Sequence, residues 1–212
     1  VELLTAVARD PAWFCSHWWG EPIKDFVTCI ETHKQVRQLP DGDGYWVCAH
    51  ATRQHSLQQE LVKDPSQTSF FKAMRLARGV LLILDHEATP FTRIWCAYEE
   101  YVALDDDAQE GRTEPMLLDI ATTADSQGYL LTDGLTAAET AVRDGGRFKT
   151  LREMSFPIDV LKNGLKYSLQ AAQASVPEDR THILNKIAGR ELDGKPAEND
   201  PGYDRVNQAL AG

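Results

Sequence analysis

The feature that most constrains this chain is Val80–Leu84, five apolar residues in a row, opened by Gly79 and stopped by Asp85. A run this short, rich in Leu and β-branched residues and bounded by turn formers, predicts a strand buried on both faces. A polar connection containing Pro90 follows. Beyond it, from Thr92 to about Leu104, Ile94, Trp95, Tyr98, Tyr101 and Val102 recur at the intervals of one helix face. A strand buried on both sides needs helices above and below it, so the rest of the chain must supply more strands and their crossovers.

Those elements can be read in order. Glu2–Arg9 is a helical lead-in ended at Asp10-Pro11. Ala12–Cys15 reads as a first strand, delivering Ser16, His17, Trp18 and Trp19 at its end. Pro22 suits the first turn of a helix whose inner face would be Ile23, Phe26, Val27 and Ile30. Turn residues at 39–44 lead to a second strand, Tyr45–Cys48, and a polar loop through His50 and His55. A short helix over Phe70–Arg78 precedes the central strand, and Pro115–Ile120 is a fourth strand. Thr136 with Glu139 resembles a capping box, and Arg147–Ser155 holds a fifth strand or none. From Pro157 onward only helical patterns remain. The expected fold is α/β: a flavodoxin-like parallel sheet of four to five strands with helices on both faces, spanning residues 12–156. A lead-in over 1–11 and an all-helical extension over 157–212 flank it. In such sheets ligands bind beyond the carboxyl ends of the strands.

Two adjacent acids sit in the central helix. Turning at about 100° per residue, the helix carries Glu99 to the edge of the apolar stripe and points Glu100 away from it, into solvent. Partial desolvation of Glu99 would raise its pKa and suit it to act on a polar ligand, although a boundary glutamate reaching water past its stem fits the same spacing.

The composition narrows the partners. A net charge of −10 with scattered Lys and Arg argues against nucleic acid. No apolar run approaches a membrane span and no signal peptide is visible, while Val1 in place of a methionine suits a fragment or a processed chain. Cys15, Cys29, Cys48 and Cys96 lie in apolar surroundings without CxxC spacing, so they read as reduced cysteines of a cytoplasmic protein. His50 and His55 have no ligands at metal spacing, and no Gly-rich loop cradles phosphate. Ser16 and His17, neighbours on a strand, point to opposite faces and do not make a nucleophile–base pair.

Taken together, Phe14-Cys15-Ser16-His17, Gly20-Glu21, Phe26, the Val80–Leu84 run and Trp95-Cys96-Ala97-Tyr98-Glu99 resemble a divergent TIR (Toll/interleukin-1 receptor-like) domain. Arg93 stands where plant-type members carry serine, and the Trp18-Trp19 pair and the segment from Ala49 to Ser69 are not ordinary TIR features. The resemblance implies NAD⁺ glycohydrolase activity, splitting nicotinamide from ADP-ribose and in some members cyclising the product. Glu99 would be the catalytic residue, Ser16, His17, Trp18, Trp19, His55 and Trp95 would line the substrate, NAD⁺ would be substrate rather than cofactor, and neither metal nor other cofactor would be required. The alternative is a non-catalytic TIR-like interaction or scaffold module, acting by self-association or as a subunit of a larger complex. A homo-oligomer or a protein partner is expected on either reading.

Overall fold

In the computed structural model, residues 9–51 and 62–211 are described; the lead-in helix expected over Glu2–Arg9 lies almost wholly outside them. The sheet has five strands in the order β2-β1-β3-β4-β5. They are β1 (Trp13–His17), β2 (Tyr45–Val47), β3 (Gly79–Leu84), β4 (Leu117–Ala124) and β5 (Gln127–Leu131). The first four are parallel, with Trp13 opposite Tyr45 on one side and Gly79 on the other, and Gly79 opposite Leu117. This is the flavodoxin-like order expected of the sequence. Every residue of β3 is buried, as its unbroken apolar run requires.

β5 pairs antiparallel with β4. The turn between them, Asp125-Ser126, has φ of 51° and 61°. Positive φ at both central residues is the hairpin geometry that Asn-Gly or Asp-Gly normally announces. Asp-Ser gives a much weaker signal, which is why this strand escapes a reading of the sequence. Gly128 of β5 is where helix α1 (Ile23–Arg37) comes closest, since a Cβ there would lie 2.0 Å from Thr32 Oγ1. Arg147–Ser155 contributes no strand; Gly145–Glu153 is helical.

Side-chain alternation divides the core. Trp13, Cys15, Leu81, Ile83, Ala121 and Leu130 face α1. The inner side of α1 is Phe26, Cys29, Ile30 and His33, while Ile23 and Val27 of the expected face are exposed. On the other face, Phe14 and Val80 pack with helix α3 (Ser69–Leu76) and helix α4 (Ile94–Leu104). Between β2 and α3 lies the short helix α2 (Cys48–Ala51). After β5 come α5 (Ala137–Thr140), α6 (Gly145–Glu153), α7 (Ile158–Gly164), α8 (Pro177–Ile187) and α9 (Pro201–Ala211). The Thr136–Glu139 capping box opens α5 as expected.

The C-terminal helices share this core. Ile183, Leu184, Ile187, Tyr203 and Val206 are buried in one cluster with Ile94, Tyr98 and Val102 of α4. Helix α4 therefore has the sheet on one side and α8 and α9 on another. This overturns the expectation that Glu100 is solvated: it is fully buried. A one-sided amphipathic pattern placed it in water, but residues far along the chain cover that side of the helix.

Candidate functional site

The connection from β3 to α4 is fixed by Asp85, whose carboxylate accepts from Thr89 N and Thr89 Oγ1, both at 2.6 Å. Helix α4 then starts beside the chain at 173. Ile94 N donates to Gln173 O at 2.9 Å and Gln173 N to Thr92 O at 2.7 Å, a short parallel bridge. Arg93 donates to Ser175 Oγ at 2.9 Å, and Trp95 Nε1 to Asp179 Oδ2 at 2.9 Å. The start of α4 is thus held by the segment that leads into α8.

Between that segment and the carboxyl end of β1 lies a cleft of about 310 Å³. His17, Trp18, Trp19, Trp95 and Glu99 all line it, so five of the seven residues nominated from sequence converge. Ser16 is fully buried beneath, and His55 lies outside the described residues. The two strand-end neighbours part as alternation dictates. Ser16 lies toward Glu99 and Cys96, and its hydroxyl tempers their pKa shifts without meeting the geometry of a full hydrogen bond. The His17 ring packs on Phe26 of α1 with centroids 4.8 Å apart, and burial lowers its pKa.

Glu99 is 7% exposed. Burial pushes its carboxyl up to about 8, with Ser16 opposing the rise. No cation pairs with it among the described residues, so the proton is held by desolvation alone. Trp19 stands 56% exposed at the edge and Trp18 is half-buried. The Trp18 indole lies over Gly20, where a Cβ would come within 2.3 Å of the ring. Gly20→Ala is expected to drive Trp18 out of its position, seen as a red shift in tryptophan emission; an unchanged spectrum would refute that packing.

Cys15 and Cys96 also border the cleft, but burial raises both thiols far above their ordinary range. Neither is a thiolate nucleophile at neutral pH. Cys96 Sγ instead donates to His17 O at 3.7 Å, tying α4 to β1. Among the described residues no group of His, Cys, Asp and Glu has metal-binding geometry, and no helix is long and apolar enough to cross a membrane.

Three parts of the site had no usable signal in the sequence. Arg93 entered only as a departure from a motif, yet it is the guanidinium that lines the cleft. Asp179 and the stretch 173–176 form the opposite wall, and nothing in their local pattern marks them as partners of a helix some eighty residues earlier. Comparisons of the chain with protein-family models, with curated proteins and with solved structures found no match.

Proposed function

We propose that the cleft binds NAD⁺ or a related nicotinamide nucleotide and cleaves its N-glycosidic bond, with Glu99 as the catalytic residue, as the resemblance to TIR domains suggests. The observation that carries this reading is a desolvated carboxyl, paired with no cation among the described residues, at the wall of an aromatic-lined cleft beyond the ends of parallel strands. A cleft of 310 Å³ is at the small end for ligand sites, enough for the nicotinamide and ribose. The tryptophans offer faces for a flat heterocycle. Arg93 offers a fork for a diphosphate.

The chemistry follows from charge. As the ribose–nitrogen bond breaks, its electron pair goes to the pyridinium nitrogen, leaving neutral nicotinamide and an oxocarbenium-like sugar. An ionised Glu99 stabilises that cation in a site of low dielectric. Water then adds to the anomeric carbon and releases a proton. The carboxylate is the active form, and in the free protein Glu99 gives up its proton near 8. The expected kcat/KM for nicotinamide release therefore rises about tenfold per pH unit below 8 and levels off above it. A profile flat from pH 6 to 9 would contradict the role. Arg93→Ala is expected to raise KM for NAD⁺ about tenfold with little change in kcat, measured by initial rates; an unchanged KM would place the diphosphate elsewhere.

One observation favours the alternative of a self-associating module. Phe148, Leu151, Met154 and Ile158 are 54%, 56%, 77% and 63% exposed, on α6, just past its end and at the start of α7. A second copy of the chain would cover this stripe. On that reading light scattering grows with protein concentration and Met154→Glu abolishes the growth.

A further inference from the structure

Helix α4 carries a second carboxyl that the cleft does not use. Glu100 follows Glu99 directly, and the helical turn aims it away from the cleft. It faces a separate cavity of about 380 Å³ between the sheet and the C-terminal segment. Leu84, Ile120, Leu131, Val160, Leu169 and Val206 supply apolar walls. Glu100 is wholly buried, and neither carboxyl oxygen meets a hydrogen-bond partner. Asn207, which also lines the cavity, is already engaged: it accepts from Leu169 N at 2.9 Å and donates to Gln170 Oε1 at 3.0 Å. Tyr167, 39% exposed, is the other titratable group on the lining, and no Lys, Arg or His lines it among the described residues.

An orphaned carboxyl on the lining of a largely apolar cavity calls for an explanation, because buried polar groups are almost always partnered. The space is ample: a dry cavity of about 150 Å³ already holds benzene. Burial, with Glu99 alongside, pushes the Glu100 carboxyl well above the usual range, which favours its protonated form. In that form it presents one donor and one acceptor side by side.

We propose that the Glu100 cavity binds a small, uncharged, largely apolar molecule bearing a carboxamide or lactam, which closes a ring of two hydrogen bonds with the carboxyl. The ligand's N–H donates to one Glu100 oxygen, and its carbonyl accepts from the Glu100 O–H. An ammonium ligand would require two ions to be desolvated in a cavity that offers neither any further partner, a poor exchange. The site has a lining separate from that of the Glu99 cleft and stands whether or not the cleft cleaves NAD⁺.

Phenylbutyramide, methyl phenylbutyrate and phenylbutylamine, titrated calorimetrically into the full chain at pH 7, test this. The amide is expected to bind, and the ester, which has no N–H to donate, to bind about tenfold or more weakly. The amine is expected to bind more weakly than the amide. Glu100→Leu removes the amide's advantage over the ester, while Glu100→Gln, which keeps a donor and an acceptor, retains it. Absence of amide binding, an ester equal to the amide, or an amine tighter than the amide overturns the proposal. An amide advantage that survives in a folded Glu100→Leu also overturns it. The ligand series on the unaltered chain is decisive by itself if that variant fails to fold.

Discussion

Glu99→Gln is expected to fold as the parent does and to release nicotinamide from NAD⁺ about 100- to 1,000-fold more slowly, the scale of losing one group that stabilises transition-state charge in a dry site. The substitution keeps shape and removes only the ability to ionise. Its effect on stability has a definite sign. The folded-state pKa, about 8, is raised above the ordinary carboxylate value of 4.5. The native state therefore holds a proton that the unfolded chain has lost. That contribution to stability is complete below about 4.5 and disappears as pH rises through 8. Glutamine never ionises, so the melting temperature of Glu99→Gln should exceed the parent's by a margin that widens from pH 5 to pH 8 and then stays constant. An activity loss accompanied by a lower melting temperature at every pH would mean that the glutamine had damaged the fold, and the loss would then say nothing about catalysis.

Asp119→Ala is expected to lower stability by about 3–5 kcal/mol at neutral pH, the cost of leaving a buried cation without its partner. Asp119 is fully buried in β4. Its carboxylate accepts from Arg37 Nε at 2.7 Å, Arg37 Nη2 at 2.6 Å and Asp133 N at 2.9 Å, with His33 Nε2 at 3.0 Å. His33 Nδ1 lies 2.7 Å from the Tyr45 hydroxyl. With the proton on Nε2, His33 donates to Asp119 and accepts from Tyr45, so both ring nitrogens are partnered. Arg37 also stands 5.6 Å from the centre of the Trp13 ring, and its side chain is only 9% exposed. Burial alone would raise the Asp119 pKa, but the hydrogen bonds from Arg37 and His33 outweigh it and hold the carboxyl below its usual range. The sign is opposite to that of Glu99: this stabilisation is present above the unfolded pKa and is lost as pH falls through the depressed one. Urea denaturation at pH 7 and at pH 3 should show the gap between parent and variant narrowing in acid. A gap below 1 kcal/mol at pH 7 would mean that Arg37 finds water when its partner is removed.

The sequence made the strands and the motif helix legible because both are local patterns. Val80–Leu84 needed only its own five residues to read as a buried strand. Helical spacing alone put Glu99 at the edge of its stripe, while the rule for strand ends in parallel sheets and the resemblance brought it to β1. What stayed hidden depends on residues far apart. Asp119 is joined to Arg37 and His33 across more than eighty residues. Glu100 reads as solvated until α9 and the segment before α8 are known to cover it, and those helices looked like an appendage because their stripes name no partner. The exposed Ile23 and Val27 of α1 show the same limit: several apolar residues were available to its inner face, and the sheet took up Phe26, Cys29 and Ile30.

The central claim is that the Glu99 cleft acts on a nicotinamide nucleotide, and product analysis tests it most directly. NAD⁺ incubated with the full chain at pH 8, and resolved by chromatography beside the Glu99→Gln variant, should yield nicotinamide and ADP-ribose, or its cyclised form, in equal amounts with the parent and almost none with the variant. NAD⁺ that remains intact with the parent, or is consumed equally by both, would contradict the account.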